Sequence, residues 1–118
     1  MLKVTVLYNL PESDLESDLD TQKSAFGVVE GLKKNYQADV LGIKSNEIKK
    51  IRTLKTDLVF NLIEWTGKEY KLGVEAIEEL EKTGLPYSGS NAWGFELSSN
   101  KKIMKKEMDK HQIPTPEW

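Results

Sequence analysis

The chain has 118 residues, 38% hydrophobic and 31% charged, with a formal net charge of −2. These totals suit one soluble globular domain with a self-supporting core and exclude a disordered chain. The absence of cysteine and the presence of one histidine, His111, exclude disulfide frameworks, thiolate chemistry and histidine-based metal sites or triads. Carboxylate-only magnesium binding stays open. Arg52 is the only arginine among 17 basic residues, so bidentate readout of phosphates or bases is nearly unavailable. Without a global basic field, nucleic acid is not an expected partner. No apolar run approaches the roughly 20 residues of a membrane span, and Met1–Tyr8 is too short and interrupted for a signal peptide. A cytoplasmic protein with no membrane partner is expected.

Lys3 to Tyr8 is rich in β-branched residues and reads as a buried strand. Asn9 to Asp20 reads as an acidic loop containing Pro11, with Asp20 as the cap of the following helix, which runs to about Tyr36. Ala25, Val28, Val29 and Leu32 fall on one stripe of that helix. Asp39–Ile43 is a second strand, and Asn46–Leu54 a short basic helix or turn. Asp57–Ile63 is apolar on both faces, as a central parallel strand would be. Glu64–Glu69 is a loop containing Gly67. Tyr70–Thr83 is a helix with Leu72, Ala76, Ile77 and Leu80 inward and Gly84 at its C-cap. Pro86–Ser90 is a short extended piece in which Gly89 supplies a positive φ. Lys101–Lys110 is a helix started by Ser98, Ser99 or Asn100, with Ile103, Met104 and Met108 on its buried side. Pro114 and Pro116 keep the end of the chain extended.

This β-α-β-α-β-α-β-α order predicts a single three-layer α/β domain over residues 1–118, a mostly parallel sheet with helices on both faces. Ligands of such folds bind beyond the C-terminal ends of the strands, at a switch in strand order. The loops of interest are therefore Asn9–Asp20, Glu64–Glu69 and Ser88–Asn100. The first loop has no glycine, so neither a dinucleotide fingerprint nor a Walker loop is present. A phosphorylation-receiver reading also fails. Its acceptor aspartate would fall near Leu62, and Tyr8-Asn9 replaces the expected acidic pair.

From Asp57 onward a specific pattern emerges. It comprises Asp57-Leu58-Val59-Phe60-Asn61, then Glu64 and Gly67, then Gly84-Leu85-Pro86-Tyr87-Ser88-Gly89-Ser90. Leu97, Asn100-Lys101, Lys105 and Ile113-Pro114-Thr115-Pro116 complete it. In order and spacing this resembles the N-terminal domain of the D-alanine–D-alanine ligase group of ATP-grasp enzymes, the pre-ATP-grasp, Rossmann-like domain. Residues 1–56 match that group more in layout than in identity. The resemblance implies a larger enzyme whose later domains clamp ATP and magnesium. Such an enzyme phosphorylates one carboxylate, which an amine then attacks. It also implies that this domain alone is inactive and carries no catalytic residue, metal ligand or bound cofactor of its own. Its expected partners are the ATP-grasp domains, which these 118 residues lack, an amino-acid substrate and, since members of the group often form dimers through this domain, a second copy in a homodimer.

Residue by residue, the resemblance places Lys101, and with less force Lys105, toward nucleotide phosphate. A lysine point charge suits that role, although five lysines between 101 and 110 also read as a solvated face. Glu64 stands where typical members have a histidine beside the first amino acid; a carboxylate there can bind the substrate ammonium, against the plain alternative of an exposed loop glutamate. Asp18 and Asp20 lie near the family's amine-binding glutamate, against helix capping for Asp20 and solvation for Asp18. Asn61 is expected to orient Glu64 or to satisfy loop backbone, Trp65 and Trp93 to pack, and His111 to sit at a helix C-terminus. The alternative to a ligase domain is a non-catalytic α/β interaction or regulatory module that keeps this fold.

Overall fold

The computed structural model describes residues 1–11, 16–65 and 69–117, without the side chains of 16–18. Glu12, Asp14, Gly67, Trp118 and the side chains of Glu16 and Asp18 therefore lie outside the described residues. Strand β1 (Lys3–Asn9) is followed by helix α1 (Glu16–Leu32), strand β2 (Gln37–Ile43), a 3-10 segment (Ile48–Thr53) and strand β3 (Leu58–Asn61). Helices α2 (Tyr70–Thr83), α3 (Ala92–Ser99) and α4 (Lys101–Lys110) complete the chain.

The sheet is parallel, in the order β2-β1-β3. Strand β1 is therefore central, and the expectation that Asp57–Ile63 would be the central strand is corrected. Strand β3 nevertheless has cover on its outer edge. Val59 N donates to Pro86 O and Ser88 N to Val59 O, both at 3.0 Å, leaving the expected fourth strand as one parallel bridge between Val59 and Tyr87. Pro86 offers no N–H to extend that ladder, and Gly89 turns the chain away at φ 89°.

The period-two alternation of the strands separates two cores. Val6 and Tyr8 face Ala25 and Val29 of α1, joined by Val28, Leu32, Phe60 and Leu62. Leu7, Val59 and Ile63 face the other way, against Ile48 and Ile51 of the 3-10 segment and Ala76 and Leu80 of α2. Helices thus cover both faces, as the alternation of elements predicts. On the second face the sole arginine is given to structure. Arg52 Nε and Nη2 donate to the two oxygens of buried Glu79, at 2.5 and 2.9 Å. That bidentate pair, with Lys82 adding a contact at 3.3 Å, holds the Glu79 carboxyl down at about 2.

Helix α2 ends on Gly84 at φ 73°, the left-handed cap expected of it. Beyond it the sequence reading missed a helix, α3. Asn91 caps it by accepting from Gly94 N at 2.9 Å. Its packing on α2 depends on Gly73, where a Cβ would stand 2.4 Å from the Phe95 ring and 3.0 Å from the Trp65 carbonyl oxygen. Asn100 closes α3 and caps α4, accepting from Lys102 N and Ile103 N at 3.0 and 3.2 Å. Ile103, Met104 and Met108 of α4 are only half-buried, against the expectation of a buried side, because α4 packs on α3 rather than on the sheet.

Candidate functional site

The chain passes from β1 outward to β2, then crosses back over β1 to reach β3. The switch in strand order therefore lies between the C-terminal ends of β1 and β3, the crevice where open α/β sheets take ligands. Three polar residues meet there. Leu62 N donates to Leu7 O at 2.8 Å, carrying the β1–β3 pairing past the end of β3. Two residues on, Glu64 N donates to Asn9 Oδ1 at 2.7 Å, so the last residue of the central strand holds the start of the loop. The Glu64 side chain lies against α1, where Thr21 Oγ1 donates to its Oε2 at 2.9 Å.

Asn61 serves the loop backbone, one of its two expected roles. Its Oδ1 accepts from Ile63 N at 3.1 Å, and its own N–H donates to Ser88 Oγ at 2.9 Å. Trp65 is buried in the core cluster shared with the 3-10 segment and α2, as expected of a packing residue, whereas Trp93 is 53% exposed and does not fulfil the same expectation.

The other predicted residues fall as follows. Asp20 is exposed and is the fifth residue of α1. Because the helix starts at Glu16, the free N–H groups of the first turn lie before Asp20, and its capping role is corrected. Thr21, its neighbour, makes the contact to Glu64. Lys101 is the exposed first residue of α4. Its end of α4 is tied to the first residue of α2 by Asn100 Nδ2, which donates to Tyr70 OH at 3.2 Å. Lys105 is half-buried, its ammonium donating to Pro116 O at 3.0 Å. His111 caps the C-terminal end of α4 beside Glu107, at 3.0 Å, as expected. Among the described residues no group of three or more His, Cys, Asp or Glu could hold a metal, and no helix is long and apolar enough to cross a membrane. Asn9 and Thr21 were missed. Asn9 had a signal, an amide at the end of the first strand, but Thr21 reaches its partner over 43 residues of sequence and had none.

The fold and these residues define an α/β domain with a polar crevice at the switch in strand order, the place where open sheets of this kind take ligands. The chain is 27% identical, over 99% of its length, to the D-alanine–D-alanine ligase of Moorella thermoacetica, and spans 36% of that relative. Among solved structures, two of D-alanine–D-alanine ligase from Bacillus anthracis, one of them complexed with ATP, superpose over the whole chain with TM-scores of 0.74 at 23% and 22% identity. The chain covers 39% and 38% of those structures. D-alanyl-alanine synthetase A from Vibrio cholerae superposes over 98% of the chain with a TM-score of 0.66 at 20% identity, and the chain covers 40% of it. No family model matches the chain. The domain thus resembles the N-terminal region of D-alanine–D-alanine ligases in sequence and in fold.

Proposed function

We propose that this chain is the substrate-side N-terminal domain of an ATP-dependent carboxylate–amine ligase of the D-alanine–D-alanine type, inactive without the domains that clamp ATP. The observation that carries this reading is the placement of Glu64 at the switch in strand order, in a chain similar to such a ligase along 99% of its length. In this reading Glu64 binds the ammonium of the first amino acid, with Asp20, the neighbour of Thr21 in α1, as a second carboxylate for it. Lys101 extends its charge toward nucleotide phosphate from the start of α4, and Lys105 stands one turn behind it. ATP, when bound, supplies the phosphoryl group that activates the substrate carboxylate. This chain offers the nucleotide a lysine charge and no glycine-rich loop, so the phosphates and magnesium are held chiefly by the other domains.

The test is phosphate release from ATP by the complete natural gene product, against a panel of D- and L-amino acids. Release dependent on D-alanine, absent from the 118-residue domain alone, is the expected result. Release with a different amino acid keeps the ligase and replaces the substrate. No release with any member leaves the non-catalytic interaction module.

A further inference from the structure

Glu64 is exposed, yet its carboxylate is held. Thr21, 8% exposed and inside α1, donates its hydroxyl to Glu64 Oε2 at 2.9 Å. A threonine within a helix ordinarily turns its single O–H onto a carbonyl one turn back; this one is given to another element. The backbone of Glu64 is fixed at the same point by Asn9. An ionised carboxylate has about four acceptor directions, and Thr21 fills one of them, on Oε2. Among the described residues no lysine, arginine or histidine forms an ion pair with Glu64. The result is a carboxylate held by Thr21 that forms no ion pair among the described residues, at the switch in strand order, where open α/β sheets take ligands.

We propose that Thr21 is a positioning residue for substrate recognition. By engaging Oε2 it fixes the Glu64 rotamer and leaves Oε1 to accept from a primary ammonium, so that an α-amino acid is selected over an uncharged hydroxyl counterpart. This deepens the ligase reading and rests on the ammonium-binding role of Glu64.

The test is steady-state kinetics of the complete natural gene product, with D-alanine as the varied substrate and then ATP. Thr21→Val keeps the side-chain shape and removes the donor; Thr21→Ser keeps the donor. Thr21→Val is expected to raise the D-alanine KM about tenfold, the scale of one hydrogen bond to a charged group, with Thr21→Ser restoring it and the ATP KM unmoved in both. Glu64→Gln is expected to raise the D-alanine KM at least as much. A variant that only folds less well lowers the amount of active enzyme and leaves KM where it was. If Glu64→Gln moves the D-alanine KM and Thr21→Val does not, the role of Thr21 is overturned and the Glu64 reading stands. If Glu64→Gln moves nothing, the Glu64 reading falls and takes this inference with it. Absence of turnover dependent on any amino acid in the unmodified protein overturns both together with the proposed function.

Discussion

The sheet with its two covering layers and the α3–α4 arm are built on different principles. The sheet region has two apolar clusters, a bidentate Arg52–Glu79 pair and a polar latch of Asn9, Thr21 and Glu64. The arm has no buried residue in either helix. It is anchored through the Gly73–Phe95 approach, an Asn100–Tyr70 hydrogen bond and the Ala92 N–H, which donates to Glu81 Oε1 at 3.0 Å. Buried apolar area fixes the first region; a few local contacts fix the second. Glu64 therefore sits on a rigid frame, whereas Lys101 sits on an element whose position is set by its neighbours.

Three substitutions separate the two regions. Leu80→Ala removes a fully buried side chain between α2 and the sheet. It should cost about 2–5 kcal/mol and lower the urea midpoint of the whole domain, which denaturation followed by circular dichroism reads. Gly73→Ala forces the Phe95 ring away from α2. It should cost about 1–3 kcal/mol as an overpacked contact and speed amide exchange in residues 92–110 more than in β1 and β3. Uniform acceleration across both regions would show that the arm is no separate unit.

The third effect is the smallest and depends on pH. The Glu79 carboxyl, held at about 2 against an ordinary 4.5, binds fewer protons folded than unfolded. Its contribution is therefore complete above pH 4.5 and is lost as pH falls from 4.5 through about 2. Arg52→Ala should flatten the stability profile across that window and leave α3–α4 exchange unchanged. A profile as steep as that of the unmodified protein would place the acid sensitivity elsewhere.

The contrast also explains what could be read from the sequence. Composition, periodicity and one special glycine revealed the sheet region: the β-branched residues of Lys3–Tyr8, the stripe of Ala25, Val29 and Leu32, and Gly84 at the end of α2. The arm gave weaker signals. Ala92–Ser99 is short and carries no apolar stripe, and Asn91 declares itself as a cap only when Gly94 is seen to donate to it. Strand β3 lacks the central place expected of it because its outer partner shrank to one bridge. In the candidate site, Glu64 was legible from its loop and its resemblance. The start of α1 was placed too late, so Asp20 was read as a cap and Thr21 was passed over.

The most direct test crosses the two regions in the complete gene product. Glu64→Ala should raise the D-alanine KM and spare the ATP KM, while Lys101→Ala should do the reverse. Glu64→Ala and Lys101→Ala shifting both constants together, or neither, would contradict the division of substrate and nucleotide between the sheet edge and the arm.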